Sequence, residues 1–249
     1  NARSIPPMLT PPVKLRTALR LGRASNLPTV WTNTLAGSVL AGATAFGAEF
    51  AVMLLALSLF YTGGMFLNDA FDAQYDAAQR PERPIPSGEV RRGTVYGWGF
   101  GLMAAGVALL GVVGFAMGAR TGLAPALAGL ALGATITYYD WRHKGNVFSP
   151  VVMGLCRVLV YVAAALCITR ALPDALWVGA ALMLCYLIGL TYIAKQENLG
   201  KVENLWPLAF LAAPVAWGAW LALAQPVAGL FWLLFTGWIC FVFHNSIVR

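Results

Sequence analysis

Eight stretches of this sequence are apolar over about the 20 residues that a helix needs to cross a bilayer. They fall near Leu27–Phe46, Phe50–Leu67, Thr94–Gly118, Leu123–Tyr139, Val147–Ile168, Ala175–Ala194, Leu205–Leu223 and Val227–Phe243. Hydrophobic residues make up 59% of the 249 and charged residues only 11%, less than half the charged share of an average soluble domain. A soluble globule could not bury so many apolar side chains, and disorder is excluded for the same reason. Strand-like alternation of the outer-membrane type is absent. The chain therefore reads as all-α, an integral membrane helical bundle with eight predicted spans. Roughly 90 residues remain outside eight spans of about 20, too few for a soluble domain, so residues 1–249 read as a single transmembrane domain. The four cysteines, Cys156, Cys167, Cys185 and Cys240, lie in apolar runs and read as small buried hydrophobes.

The net charge of +7 suggests nucleic acid until its distribution is read. Arg3, Lys14, Arg16, Arg20 and Arg23 precede the first span. Arg80, Arg83, Arg91 and Arg92 follow the second, Arg142 and Lys144 the fourth, Lys195 and Lys201 the sixth, and Arg249 the last. Only Arg120 and Arg170 fall on the opposite side. This is the positive-inside pattern, so no nucleic-acid partner is called for. The N-terminus and the even-numbered connections are expected to be cytoplasmic. Residues 1–25 form a cytoplasmic N-terminal segment whose mixed basic and apolar part can lie as a helix on the membrane surface.

The acids are fewer and more informative. Asn68-Asp69-Ala-Phe-Asp72-Ala-Gln-Tyr-Asp76 closes the second span. On a helix at about 100° per residue, Asn68, Asp69, Asp72 and Asp76 share an arc of about 100°. Like charges so close repel, and a hard divalent cation with oxygen ligands is the natural compensation. Arg80 and Arg83 follow within seven residues of Asp76, in a loop broken by Pro81, Pro84, Pro86 and Gly88. Guanidinium binds phosphate oxygens bidentately. Carboxylates for Mg²⁺ beside arginines for phosphate, above an apolar interior, point to a diphosphate carrying a greasy tail.

Asn68-Asp69-x-x-Asp72-x-x-x-Asp76, followed by Arg83-Pro-Ile-Pro-Ser-Gly88, resembles the first signature of the UbiA superfamily of intramembrane prenyltransferases. The segment Arg23-x-x-Asn26-x-Pro28 to Gly37 is similar to that family's first helix. The Arg-Pro-Ile-Pro-Ser-Gly form is similar to branches acting on chlorophyllide, glycerol-phosphate ethers and other prenyl acceptors. The resemblance implies a bundle, commonly of nine spans, around a cavity open to lipid. It implies that Asn68, Asp69, Asp72 and Asp76 hold Mg²⁺, with Asp72, Asp76, Arg83 and Lys144 as catalytic residues. Arg80 would add positive charge. The metal would bind the diphosphate of a polyprenyl donor, and a lipophilic acceptor would attack the allylic cation that forms.

The family's second signature, Asp-x-x-x-Asp, is missing. Its place reads Lys195-Gln-Glu197-Asn-Leu-Gly200-Lys201-Val-Glu203. Glu197 and Glu203 lie about 600° apart on a straight helix and meet only if Gly200 breaks it. Lys195 and Glu197 are the substrate-binding candidates of this segment. Asn33 in the first span, Tyr139 at the end of the fourth and Arg157 inside the fifth are further substrate-binding candidates. For Asn33 the alternative is hydrogen bonding between helices, and for Tyr139 an interfacial aromatic belt. His143 and His244 stand isolated, which does not make a zinc site. The leading expectation is thus a Mg²⁺-dependent intramembrane prenyltransferase. The alternative is a catalytically degenerate subunit that binds a lipid, quinone or pigment within a larger membrane complex. A transporter is disfavoured, because no internal repeat is found.

Overall fold

The computed structural model describes residues 15–198 and 206–225, with 227, 229–234 and 237, and side-chain surroundings up to 193 and again from 206. Among these residues the chain is helical without strands, as the apolar runs predict. The helices are α1 (Leu15–Leu21), α2 (Leu27–Leu40), α3 (Ala48–Gln79), α4 (Arg92–Ala116), α5 (Ala124–Arg142), α6 (Ser149–Ile168), α7 (Asp174–Asn198) and α8 (Trp206–Ala224). A 3₁₀ turn, Ala24–Asn26, joins α1 to α2. Among the described residues, five helices are long and apolar enough to cross a membrane: α3, α4, α6, α7 and α8.

This differs from the eight predicted spans in identifiable places. The first apolar run extends to Phe46, but α2 stops at Leu40. Gly42 then takes φ 94°, a left-handed conformation that ends the helix. At about 1.5 Å per residue, the 14 residues of α2 fall short of the roughly 30 Å hydrocarbon layer. The fourth run does form a helix, α5, but it is built from weakly apolar alanine, glycine and threonine and ends in Asp140 and Arg142. The eighth run lies largely outside the described residues.

The chain divides into two compact units, Asn1–Asn146 with Leu159–Pro173, and Val147–Val158 with Asp174–Arg249. In the first, α3 packs against α1, α2, α4 and α5. Its residues Met53, Leu57, Phe60 and Leu67 are fully buried. Glycines set the helix spacing. A Cβ on Gly63 would lie 2.6 Å from the Gly99 carbonyl oxygen of α4. One on Gly129 of α5 would lie 2.9 Å from Leu110 and 3.2 Å from Phe60. Between apolar helices in lipid, such close backbone approach is a main source of association. Hydroxyls on the short α2 are satisfied within it: Thr34 donates to the Val30 carbonyl (2.8 Å) and Ser38 to that of Thr34 (2.9 Å).

At 32 residues, α3 is about 48 Å long, well beyond the hydrocarbon thickness. Ala48–Leu67 alone is about 30 Å long, so the charged turns from Asn68 on are additional to a membrane-spanning length. The loop after α3 folds back on the bundle, where Val90 and Ile85 pack with Leu21, Phe66, Ala70 and Val95. Thr17 and Arg20 of α1 donate to the Glu89 carboxylate at 3.2 and 3.1 Å. In the second unit, α7 packs on α8, with Gly189 against Pro207 and Leu211. Tyr192 donates to the Val147 carbonyl at 2.7 Å.

The glycine spacing yields a direct comparison. Gly63→Ala is expected to destabilise the protein by about 1–3 kcal/mol through overpacking. Gly97→Ala, where no atom lies within 4 Å of the new methyl, should leave the melting temperature in detergent unchanged or slightly raised.

Candidate functional site

The acidic face predicted for the end of the second span forms on the last turns of α3. Asn68, Asp69 and Asp76 are buried there, and the Asp72 side chain is only 12% exposed. Carboxylates so placed need countercharge, and each has it from another part of the first unit. Asp69 accepts from Arg83 at 3.2 Å and from Arg23 at 3.4 Å. Asp76 accepts from the same Arg83 nitrogen at 2.7 Å. Asp72 pairs with Lys144 at 2.8 Å and lies 3.6 Å from His143 Nε2.

Local structure explains each partner's position. Arg83 follows a helix end where Arg80 N–H donates to the Asp76 carbonyl (2.7 Å). Turns then close the loop, with Gly88 at φ 79° and Val90 N–H donating to the Pro84 carbonyl at 3.2 Å. Pro84 and Pro86 limit its conformations. Arg23 sits in the α1–α2 turn at φ 43°, ψ 50°, a left-handed conformation that costs a non-glycine residue about 1–3 kcal/mol. Its carbonyl accepts from Tyr61 at 3.4 Å and from Asn26 N–H at 3.0 Å. His143 and Lys144 follow the last residue of α5. Lys144 lies 3.6 Å from the centre of the Tyr75 ring, a cation–π contact that orients the ammonium. His143 stacks on Tyr139 with centroids 5.2 Å apart. The Asp72 carboxylate raises the His143 imidazole above the ordinary histidine range, with burial opposing it.

Three residues of this cluster carry no site role in the sequence pattern. His143 is not isolated, since it faces Asp72. Arg23, part of the positive-inside pattern and the start of the family-like first helix, reaches Asp69. Asp140 on α5 is 3% exposed and its Oδ1 accepts from the Asn68 amide at 3.1 Å. That bond turns the NH₂ of Asn68 toward α5 and leaves its Oδ1 as the atom available to a ligand. Asp140 Oδ2 has no hydrogen-bond partner among the described residues. The only sequence signal for these residues is their nearness to features already read. Asp140 and His143 share a segment with Tyr139 and Lys144, and Arg23 opens the stretch that resembles the family's first helix.

Arg80 and Asn33, also expected in the site, make no side-chain contact with this network among the described residues. Arg80 is exposed at the end of α3. Asn33 is half-buried on α2 and makes no hydrogen bond among the described residues. Arg157 is half-buried on the part of α6 that belongs to the second unit. The side chains of Lys195 and Glu197 lie outside the described residues, as do Lys201 and Glu203.

Among the described residues, no group of three or more His, Cys, Asp or Glu is arranged to hold a metal ion. The donor chemistry nevertheless fits Mg²⁺. Three carboxylates and an amide oxygen lie on one helix face, and the orphaned Asp140 oxygen is buried beside them. Arginine and lysine at present supply the positive charge.

An apolar cavity of about 720 Å³ lies between α3, α4 and α5, with Phe60, Phe71, Phe100 and Met103 in its wall. Tyr138 and Trp141 line it one turn before His143 and Lys144.

These features define a multi-pass integral membrane protein with a charged site at the end of an apolar bundle. The UbiA prenyltransferase family model matches residues 30–203, and the chain belongs to that family. Digeranylgeranylglyceryl phosphate synthase of Methanopyrus kandleri is 32% identical over 216 residues, covering 84% of this chain and 72% of the relative. The enzyme of the same name from Methanothermobacter thermautotrophicus is 37% identical over 114 residues, covering 43% of this chain and 38% of its own length. A solved structure described as giving insights into digeranylgeranylglyceryl phosphate synthase in membranes has the same fold, with a TM-score of 0.64 at 14% identity. It covers 87% of this chain and 78% of that one. The chain is accordingly a prenyltransferase by family, and the signature read at Asn68–Gly88 falls within the matched region.

The shared Arg83 makes a testable coupling. Arg83→Met leaves Asp76 buried without its partner and should lower stability by about 1–3 kcal/mol. Asp76→Asn in the same background should recover part of that loss in a double-mutant thermal unfolding cycle.

Proposed function

We propose that the protein transfers a polyprenyl group from its diphosphate to a lipophilic acceptor in a Mg²⁺-dependent reaction, and that the acceptor is a glyceryl phosphate ether lipid. The observation that carries this reading is the ring of Arg23, Arg83, His143 and Lys144 around the carboxylates of α3. Each of Asp69, Asp72 and Asp76 is matched by a cation able to turn to a phosphate oxygen. The names of the relatives support the choice of acceptor.

When bound, Mg²⁺ supplies charge to the leaving diphosphate oxygens. Asn68, Asp69, Asp72 and Asp76 are the residues that would hold it, with Asn68 kept in its orientation by Asp140. Arg83 and Lys144, released from Asp76 and Asp72 as charge shifts, hydrogen-bond the diphosphate. Fixed cations aimed at developing negative charge are the largest catalytic contribution expected of such a site. The apolar cavity beside α3 has the chemistry to hold an isoprenoid chain and keep water from the allylic carbon. Tyr139, Arg80, Asn33, Arg157, Lys195 and Glu197 remain candidates for substrate contact. The positive-inside pattern supports a cytoplasmic position for this end of the bundle and for the N-terminus.

The degenerate second signature keeps the alternative in view: a family member that binds a lipid, quinone or pigment within a larger membrane complex without turnover. Transfer of labelled geranylgeranyl groups from the diphosphate to a glyceryl ether phosphate separates the two. The proposal predicts product with Mg²⁺ and none with a chelator. Asp72→Asn and Lys144→Met should each slow transfer by about 10²–10³. Failure to form product with any donor length or acceptor, from a folded preparation, would favour the non-catalytic reading.

A further inference from the structure

The turn before the first long helices carries a second basic site that the α3 cluster does not use. An open groove of about 460 Å³ is lined by Arg16, Leu19, Arg20, Arg23, Ser25 and Asn26, most of them exposed. Three guanidinium-bearing residues, a hydroxyl and an amide face one space, and no acid lines it among the described residues. Two of the arginines are held in place. Arg20 donates to Glu89 at 3.1 Å and to the Glu82 carbonyl at 3.4 Å. Arg23 is fixed by its left-handed backbone and its contact with Asp69. Glu89 and Asp69 offset the charge of these two. Arg16 forms no ion pair among the described residues, so it carries the surplus.

The surroundings are amphipathic. Leu15 and Leu19 of α1 are 75% and 54% exposed, while Thr17 and Leu21 face the protein. A helix with exposed leucines beside a basic groove is suited to a ligand with an apolar chain and an anionic head. Left-handed strain at a non-glycine residue, paired with a charged group aimed at a site, is a recurring mark of function. Arg23 is the common wall, lining this groove while touching the acid cluster.

We propose that this groove binds the phosphate group of a lipid, with Arg16 as its principal ligand and Arg20 and Arg23 as pre-positioned partners. Where that lipid is the acceptor, the assignment rests on the prenyl-transfer reading and sets the acceptor head beside the diphosphate site through Arg23. The same chemistry suits the headgroup of an anionic membrane lipid, and experiment can tell the two apart.

The test uses the full chain, without donor. In detergent, thermal stability is followed against an octyl glyceryl ether phosphate and against the phosphate-free octyl glyceryl ether. In nanodiscs, it is followed in phosphatidylcholine with and without phosphatidylglycerol. Wild type, Arg16→Gln, Arg16→Lys and the exposed control Arg91→Gln are compared. Acceptor binding predicts stabilisation by the ether phosphate alone, weakened about tenfold in apparent affinity by Arg16→Gln, the size of one charge-assisted hydrogen bond. Arg16→Lys should recover part of it and Arg91→Gln none of the loss. Stabilisation by phosphatidylglycerol that depends on Arg16, with the ether phosphate silent, would assign the site to a bilayer headgroup. Equal response to the phosphate and its alcohol, or an Arg16→Gln protein indistinguishable from wild type in both media, would overturn the proposal. Because no donor is present, these outcomes are separate from success or failure of prenyl transfer.

Discussion

Several carboxylates on the end of one membrane helix are the constraint around which this protein is built. Asp69, Asp72 and Asp76 share a face of α3 with Asn68, and burial makes their mutual repulsion and desolvation costly. The surrounding structure meets that cost. The loop after α3 returns Arg83 to Asp69 and Asp76, the end of α5 delivers His143 and Lys144 to Asp72, and the turn before α2 brings Arg23 to Asp69. A site held by exchangeable ion pairs is suited to an anionic ligand. The cations that stabilise the resting protein are the groups that a diphosphate would engage.

Helix packing gives this cluster its geometry. Gly63 and Gly99 let α3 and α4 approach, while Gly129 receives Phe60 and Leu110. Ile136 lies against Gly64, one turn before Asp140 meets Asn68 across the same interface. The polar contact at the end of the bundle therefore depends on small residues inside it. A shift of α5 along α3 would break the Asn68–Asp140 bond and the Asp72–Lys144 pair together. Because α3 is longer than a membrane-spanning helix needs to be, this chemistry sits on the continuation of a helix whose earlier turns form the core of the bundle.

Much of this was readable from local pattern. A helical period places Asn68, Asp69, Asp72 and Asp76 on one arc without knowledge of the fold, and α3 runs unbroken through them. Arg83 was recognisable because a proline-rich loop follows at once. The partners of Asp72 and Asn68 lie 72 residues or so away in the chain, and pairing at that range leaves no trace in spacing. His143 therefore read as isolated and Asp140 as a helix end. The number of long apolar helices among the described residues differs from the number of apolar runs for a different reason. Apolar composition continues past Leu40, while the backbone turns at Gly42. Hydropathy does not register that turn. The segment Lys195–Glu203, where the family's second signature is replaced, involves charges whose pairing no local rule decides.

On donor binding, the α3 cluster is expected to exchange its arginine and lysine partners for a metal-bound diphosphate. Thermal stability of the purified protein against geranylgeranyl diphosphate, with and without Mg²⁺, in wild type and Asp72→Asn, tests this most directly. A ligand that binds only the folded state raises the melting temperature by mass action. The account predicts stabilisation that requires donor and Mg²⁺ together and disappears in Asp72→Asn. A donor effect of equal size without Mg²⁺, or one that survives Asp72→Asn unchanged, would contradict it.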